Sequence, residues 1–216
     1  MSLNENIILI DKPKGITSFD VIRELRKELG IKKIGHAGTL DPLATGLLIV
    51  GVGEGTKKLN EYLKLDKVYL VDILVGEKRD TGDLEGKIIE ESEVNELDVS
   101  KVKNMLQEMV GGLTLPVPRY SAIKERGEPL YKKARRGEEF KPSERKMIVY
   151  SAKSYDISYD LEKKRAVVKV EFNVSSGTYI RSLAEEFGKR LGHPATVAEL
   201  RRISIGNFKI EDARSI

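Results

Sequence analysis

Apolar residues recur along the chain at two spacings, one typical of strands and the other typical of helices. Apolar-rich runs at residues 6–10, 47–52 and 66–75 predict buried strands. In residues 166–174, every second side chain is apolar and alternates with the polar residues Lys169, Glu171 and Asn173, which predicts a strand with one exposed face. Residues 146–159 predict one or two further strands.

Three segments carry apolar residues at helical spacing, and each is followed by glycine, a residue that commonly ends a helix. The first lies between a cap at Thr17 or Ser18 and Gly30, the second spans Ser100–Val110, and the third ends at Gly192. The apolar face of the first helix carries Val21, Ile22, Leu25 and Leu29. We expect these four side chains to face the core.

The composition is that of a soluble globular protein, since 40% of the 216 residues are hydrophobic and 33% are charged. No stretch approaches the ~20 apolar residues of a membrane-spanning helix. The first five residues lack the basic-then-apolar pattern of a signal peptide, so we expect a cytoplasmic protein with no membrane partner. The absence of cysteine excludes disulfides, and with His36 and His193 as the only histidines we expect no metal site.

Charge is distributed unevenly, although the net charge is only +4. Residues 119–146 contain ten Lys or Arg against five Asp or Glu, whereas residues 76–98 contain three against nine. A basic segment suits contact with phosphate groups, and a second segment repels them. The alternative for the basic segment is an ordinary solvated surface.

The twelve residues Gly35–Gly46 contain three glycines and one proline and come directly before the predicted strand at 47–52. Pro42 fixes its own backbone and restricts Asp41 to extended angles. A carboxylate on a stiffened loop is a candidate nucleophile or general base. The alternative is a connector in which Asp41 caps a turn, and the residues by themselves leave both open.

This stretch, Gly-His-Ala-Gly-Thr-Leu-Asp-Pro-Leu-Ala-Thr-Gly, resembles the signature of the TruB family of tRNA pseudouridine synthases. Further segments resemble that family in the same order, namely Lys12–Gly15, Lys67–Tyr69, Lys78–Gly86, Pro116–Gly137, Ser175–Arg181 and Val197–Arg202. The resemblance implies an α+β fold with a central, mostly antiparallel mixed sheet flanked by helices. It also implies one catalytic domain over residues 1–216, a basic RNA-contacting insertion at about 116–146, and no C-terminal PUA domain.

The same resemblance implies catalytic roles for three residues. Asp41 acts on the ribose of the target uridine, either by attacking C1′ or by removing the 2′ proton. Arg181 pairs with Asp41, and Tyr69 stacks on the base and assists proton transfer. The alternatives are a solvent-facing arginine and an ordinary core tyrosine.

The resemblance also implies contacts with the substrate and its backbone. The substrate-binding residues are His36, Lys12, Tyr179 and Leu200. Of these, His36 stacks in the space that the flipped base leaves, and Leu200 lines the base pocket. For Lys12 the alternative is a plain connector between a strand and a helix. The residues that contact the RNA backbone are Lys124, Lys132, Lys133, Arg135 and Arg136.

The implied reaction converts the T-loop uridine at position 55 of tRNA to pseudouridine, without a cofactor. The implied partner is the tRNA T-arm stem-loop, and we expect a monomer. Two alternatives remain open at this point, a guide-dependent synthase subunit and a non-catalytic RNA chaperone that folds the T-arm. Activity on bare tRNA distinguishes the first, and dependence on Asp41 distinguishes the second.

Overall fold

The computed structural model describes residues 6–125 and 127–216. The first five residues, which the signal-peptide argument concerns, and Arg126 of the basic segment lie outside the described residues. The strands are β1 (Ile7–Lys12), β2 (Ile34–His36), β3 (Thr45–Val52), β4 (Lys67–Val75), β5 (Glu77–Arg79), β6 (Ile88–Glu91), β7 (Gly111–Pro116), β8 (Lys124–Glu125), β9 (Glu128–Pro129), β10 (Glu144–Asp160), β11 (Arg165–Val174), β12 (Ala195–Ile205) and β13 (Phe208–Lys209). The α-helices are α1 (Ser18–Leu29), α2 (Leu59–Leu63), α3 (Val99–Glu108), α4 (Leu130–Arg135) and α5 (Ile180–Leu191), and 3₁₀ helices lie at Gly53–Lys58 and Ile210–Asp212.

Helix α1 shows why the helical pattern was informative and where it failed. Thr17 caps the helix and forms a reciprocal capping box with Asp20, and Gly30 ends it in the left-handed conformation with φ 66°. The inward-facing residues at the start and middle of the helix are buried as expected. Leu29 is 37% exposed, so its prediction was wrong, because residues 27–33 all lie at the surface.

Two compact units divide the chain. The first contains residues 6–70, 173–176 and 199–216, and the second contains residues 71–172 and 177–198. Strands β4, β11 and β12 each have residues in both units.

The first unit is built around β3. Strands β1 and β2 pair with β3 in antiparallel register, whereas β12 pairs with its start in parallel register, so the sheet is mixed. Leu48 and Val50 belong to a core cluster with α1, while Leu47 and Ile49 belong to a second cluster with Ile205. Because β3 is buried on both faces, its sequence is continuously apolar rather than alternating.

The second unit carries four neighbouring strands in the order β4, β11, β10 and β7, with β10 and β7 antiparallel. Residues 146–159, predicted as one or two strands, belong to the single strand β10. The alternation predicted for residues 166–174 is confirmed, since the five apolar residues on one face of β11 are buried, and the residues between them, including Val167, are partly buried or exposed. Helices α3 and α5 pack in the same unit, which gives the α+β class that was predicted.

No helix in the described part of the chain is long and apolar enough to cross a membrane. Over residues 6–125 and 127–216, no group of three or more His, Asp or Glu side chains is arranged to hold a metal ion.

Candidate active site

Asp41 lies in the first unit, on the segment that connects β2 to β3. We call residues 38–47 the Asp41 loop, a name that here includes the first three residues of β3. The Ser18 hydroxyl at the start of α1 accepts a hydrogen bond from the Leu40 amide at 2.9 Å and donates to the Leu40 carbonyl at 3.2 Å. On the other side of Asp41, the Gly15 amide donates to the Pro42 carbonyl at 2.8 Å. The backbone is therefore tied down on both sides of the carboxylate, as the Gly/Pro pattern predicts.

Lys12 lies beneath this loop and is fully buried. Its Nζ donates to the carbonyls of Ile16 at 2.7 Å, Pro13 at 2.9 Å and Pro42 at 3.5 Å. A buried ammonium requires such oxygen partners, because an unpaired charge is costly to bury. Through these hydrogen bonds, Lys12 stabilises the backbone of the Asp41 loop. Contact of Lys12 with substrate stays a prediction.

His36 lies at the end of β2, where its ring is partly buried. Burial, and then the positive charge of Arg202, lower the pKa of His36 below its ordinary value of 6.5, while a hydrogen bond to the Gly38 backbone acts in the opposite direction. The imidazole is therefore neutral at pH 7. A neutral aromatic ring suits the stacking role that was predicted for it.

Tyr69 lies near the start of β4 and is 7% exposed. Lys67 and Val71 share its face of the strand and are buried as well. Burial of Tyr69 is compatible with the core-tyrosine alternative and with a ring that meets substrate in a cleft. The role in stacking and proton transfer stays a prediction.

Lys67 is a buried lysine that sequence reasoning did not single out. Its Nζ donates to the carbonyls of Leu63 and Leu65. Burial, followed by the charge of Arg202, lowers the pKa of Lys67 from 10.5 to about 8. Lys67 therefore gives the first unit a group that titrates near neutral pH.

Leu200 belongs to the first unit too, on β12. It is 8% exposed, and its carbonyl accepts a hydrogen bond from Thr45 at 3.5 Å. The next residue, Arg201, forms a two-pronged ion pair with Asp11 at 2.7 and 3.1 Å. Asp41, His36, Tyr69 and Leu200 thus belong to one compact unit.

Arg181 lies in the second unit, at the second residue of α5, and is 6% exposed. Its guanidinium donates to the carbonyls of Thr81 at 2.8 Å and Tyr120 at 3.1 Å, and lies 3.8 Å from an oxygen of Asp83. The solvent-facing alternative is therefore wrong. A cation near a helix start gains nothing from the helix dipole, and here it is stabilised by these oxygens.

Asp83 is itself held in place, by the Thr81 hydroxyl at 2.7 Å and the Glu85 amide at 3.1 Å. Its buried carboxylate completes the surroundings of Arg181. Sequence reasoning placed Asp83 in a polar loop without giving it a role. The signal that could have found it is a carboxylate in a Thr-Gly-Asp turn, where hydroxyl and amide donors can hold it.

Tyr179 precedes α5 and is partly buried, and its carbonyl accepts a hydrogen bond from the Leu183 amide in the first turn of the helix at 3.2 Å. Its backbone therefore belongs to the helix start that also positions Arg181. Contact of Tyr179 with substrate stays a prediction.

The cations of the basic segment differ in exposure and in whether an acidic side chain pairs with them. Lys124, Lys132 and Arg135 are exposed, and Arg135 lies over the Tyr131 ring at 5.5 Å. Lys133 is partly buried beside the Phe140 ring. Arg136, in contrast, pairs with Glu128 at 2.6 and 2.8 Å and with Glu138 at 2.6 Å. We therefore expect Arg136 to contribute less to phosphate binding than its exposed neighbours.

A cleft of about 450 Å³ lies within the second unit. The ion pair between Lys78 and Glu185, at 3.0 Å, belongs to its wall, and the remaining charged wall residues include both signs. None of the predicted site residues lines this cleft. Its size alone gives no reason to place the chemistry there, because the candidate residues lie elsewhere.

The family model for the N-terminal domain of the TruB family pseudouridylate synthases matches residues 26–180. Over 210 residues the chain is 43% identical to the tRNA pseudouridine synthase B of Endomicrobium trichonymphae, covering 97% of this chain and 88% of that protein. It is 45% identical to the tRNA pseudouridine synthase B of Fusobacterium nucleatum, covering 96% of this chain and 70% of that protein.

Solved structures give the same picture for the fold. A chain from a structure titled "Crystal Structure of a Cbf5-Nop10-Gar1 Complex" matches 98% of this chain with a TM-score of 0.70 and 27% identity. A chain from an H/ACA RNP bound to a substrate RNA matches 97% with a TM-score of 0.70 and 25% identity. The chain spans about half the length of each of these two solved chains.

Proposed function

The chain belongs to the TruB family of pseudouridylate synthases, and from this premise we propose that it isomerises the T-loop uridine at position 55 of tRNA, with Asp41 as the catalytic carboxylate. The general activity, an isomerase that acts on tRNA, follows from relatives that are 36–45% identical over almost the whole chain. The target position and the residue roles are the proposal proper.

The observation that carries the proposal is the way the Asp41 loop is held. Hydrogen bonds to Ser18 and Gly15 fix the backbone on both sides of the carboxylate, and Lys12 bonds the same loop from a fully buried position. Ordered placement of a reacting group is worth a large part of a rate enhancement. A turn cap needs no such support from a second stretch of the chain, here residues 12–18.

The reaction breaks the C1′–N1 bond of the uridine, rotates the uracil, and joins C5 to C1′. The proton on C5 is lost and N1 gains one, so atoms balance without an oxidant or reductant. An ionised Asp41 serves in either route, by attacking C1′ or by taking the 2′ proton. For Arg181 we retain the proposed role of pairing with Asp41.

The remaining roles concern the base and its surroundings. The uridine must leave its stack, which costs a few kcal/mol and is least costly in a loop. We propose that Tyr69 stacks on the uracil and assists the transfer of the C5 proton. The neutral ring of His36 stacks in the space that the base leaves, while Leu200 lines the base pocket.

A stand-alone enzyme is favoured over a guide-dependent subunit by the degree of similarity. The chain is 43–45% identical to two bacterial tRNA pseudouridine synthases B, but only 25–27% identical to the chains from the H/ACA RNP and Cbf5-Nop10-Gar1 structures. We therefore propose a cytoplasmic monomer that acts on bare tRNA and recognises the T-arm stem-loop.

The test uses a T-arm stem-loop labelled with tritium at uracil C5 and measures release of tritium to water. We expect release by the wild-type chain without protein partners or guide RNA. We expect Asp41→Asn to bind the stem-loop in a filter assay and release no tritium, because the substitution keeps the size and removes the charge. Asp212→Asn, the same change at an exposed position of the same unit, should behave as wild type.

The two failures are distinct. If the wild-type chain releases no tritium from the stem-loop but does so from whole tRNA, the proposed footprint is wrong. Wild-type turnover by Asp41→Asn would overturn the role of the carboxylate.

A further inference from the structure

The two ends of the Asp41 loop meet at one side chain. Arg202 lies on β12 and is 1% exposed. Its Nε donates to the Leu47 carbonyl at 2.8 Å, and its Nη2 donates to the Gly38 carbonyl at 3.2 Å. These two carbonyls belong to the last and first residues of the loop, so a single guanidinium bridges its ends.

The main chain of Arg202 also contacts the Asp41 loop, at Gly46. Arg202 pairs with Gly46 in the parallel register between β12 and β3. Gly46 has φ +103°, and a Cβ built there would lie 2.8 Å from the Arg202 nitrogen and 3.0 Å from its carbonyl carbon. The absence of a side chain at Gly46 therefore lets the strand that carries Arg202 approach the loop directly.

The charge of Arg202 also reaches the residues around the loop. It lowers the pKa of His36 and the pKa of Lys67, in both cases after burial as the larger cause. The guanidinium is a rigid fork of N–H donors and can donate to two acceptors at once. Lysine has one nitrogen, which cannot reproduce the spacing of Nε and Nη2.

We propose that Arg202 is a positioning residue for Asp41: its guanidinium bridges Gly38 and Leu47 and thereby fixes the conformation of the loop that carries the catalytic carboxylate. The proposal rests on the proposed function of Asp41. It concerns the path of the backbone between the two bridged carbonyls and requires no contact of Arg202 with substrate.

The test compares Arg202→Lys with a matched control, Arg165→Lys. Arg165 lies in the second unit, and its side chain is 11% exposed. Its guanidinium likewise donates to main-chain carbonyls, those of Ser92, Lys163 and Lys164, and it also pairs with the Glu91 carboxylate. Both substitutions keep the charge and lose the fork. The kcat and KM of tritium release, and the amide hydrogen exchange of residues 38–47, are measured well below the unfolding temperature of either variant.

We expect Arg202→Lys to lower kcat roughly 10²-fold, the loss that a displacement of about 1 Å can cause, with KM unchanged. Hydrogen exchange in residues 38–47 should accelerate in this variant. Arg165→Lys should retain wild-type kcat and wild-type exchange in that segment, even where its thermal stability falls. If Arg202→Lys does not fold, Arg202→Gln replaces it, because glutamine buries no charge and can still donate to one carbonyl. Its matched control is then Arg165→Gln.

Histidine resonances provide a second measurement, because His36 and His193 are the only two histidines. The pKa of His36, followed by NMR, should rise in Arg202→Gln, which removes the charge, and change less in Arg202→Lys. Wild-type kcat and wild-type exchange in the Arg202 variant would overturn the proposal, as would an equal loss of kcat in both variants. An inactive wild-type chain would instead contradict the proposed function.

Discussion

Gly46→Ala is the sharpest test of how β12 and the Asp41 loop are packed. Gly46 adopts φ +103°, a conformation that L residues rarely adopt, and an added Cβ would fall within 3.0 Å of main-chain atoms of Arg202. Those atoms belong to a paired strand and cannot rotate away, unlike the end of a flexible side chain. The substitution therefore adds both backbone strain and a steric clash.

The two costs can be separated with a matched control, Gly111→Ala. Gly111 has φ +115°, and a Cβ built there meets nothing within 4 Å. A residue held in such a region costs about 1–3 kcal/mol, and this cost applies to both variants. Overpacking costs a further 1–3 kcal/mol or so, and this cost applies to Gly46→Ala alone.

We therefore expect Gly46→Ala to lose about 1–3 kcal/mol more of its free energy of unfolding than Gly111→Ala loses. For a chain of this size, 1 kcal/mol shifts the unfolding temperature by roughly 2–4 °C, so the two variants should differ by about 2–12 °C. Thermal melts by circular dichroism measure the difference, and tritium release should fall only in Gly46→Ala. Equal losses of stability in the two variants would refute the close approach of Arg202 to Gly46.

Three further predictions address the base, the RNA backbone and pH. Tyr69→Phe should bind RNA almost normally in a filter assay but lose roughly 10²–10⁴-fold in single-turnover rate, because it lacks the hydroxyl that assists proton transfer. Tyr69→Leu should also lose RNA affinity, because stacking on the base is worth about 1–3 kcal/mol. Wild-type behaviour in both variants would support the core-tyrosine alternative. Replacing Lys132, Lys133 and Arg135 together by alanine should reduce the slope of log RNA affinity against log salt concentration by roughly 0.7–0.9 for each phosphate that these cations no longer neutralise. Arg136→Ala should change this slope less, because Glu128 and Glu138 already pair with that guanidinium. An unchanged slope in the triple variant would support the solvated-surface alternative. The pKa of Lys67 in the folded chain, about 8, lies below its ordinary value of 10.5, so the unfolded state binds more protons between these two values. The free energy of unfolding should therefore rise with pH by up to about 1.4 kcal/mol per pH unit in this window. Urea unfolding at pH 7.5 and 10 should show that Lys67→Met lacks this contribution, and equal pH dependence in wild type and variant would contradict the lowered pKa.

The local elements of the fold were predictable because their signals are contained in neighbouring residues. Thr17 and Gly30 mark the ends of α1, and the alternation in β11 marks its buried face. The same holds for the stiff loop around Asp41, whose glycines and proline restrict the backbone without help from distant residues. Leu29 shows the limit of this reasoning, because helical spacing does not say where the covering structure ends.

The surroundings of the charged residues were decided by tertiary structure alone. The Thr81 carbonyl that accepts from Arg181 is 100 positions away in the chain, and the Gly38 carbonyl that accepts from Arg202 is 164 positions away. Spacing along the sequence contains no information about such partners, because packing brings them together. From the sequence alone the main helices and strands, the stiff loop that presents Asp41 and the family could be predicted. The burial of Arg181, Arg202 and Lys67, and with it the pKa of Lys67, depends on which oxygens the folded chain places around each cation.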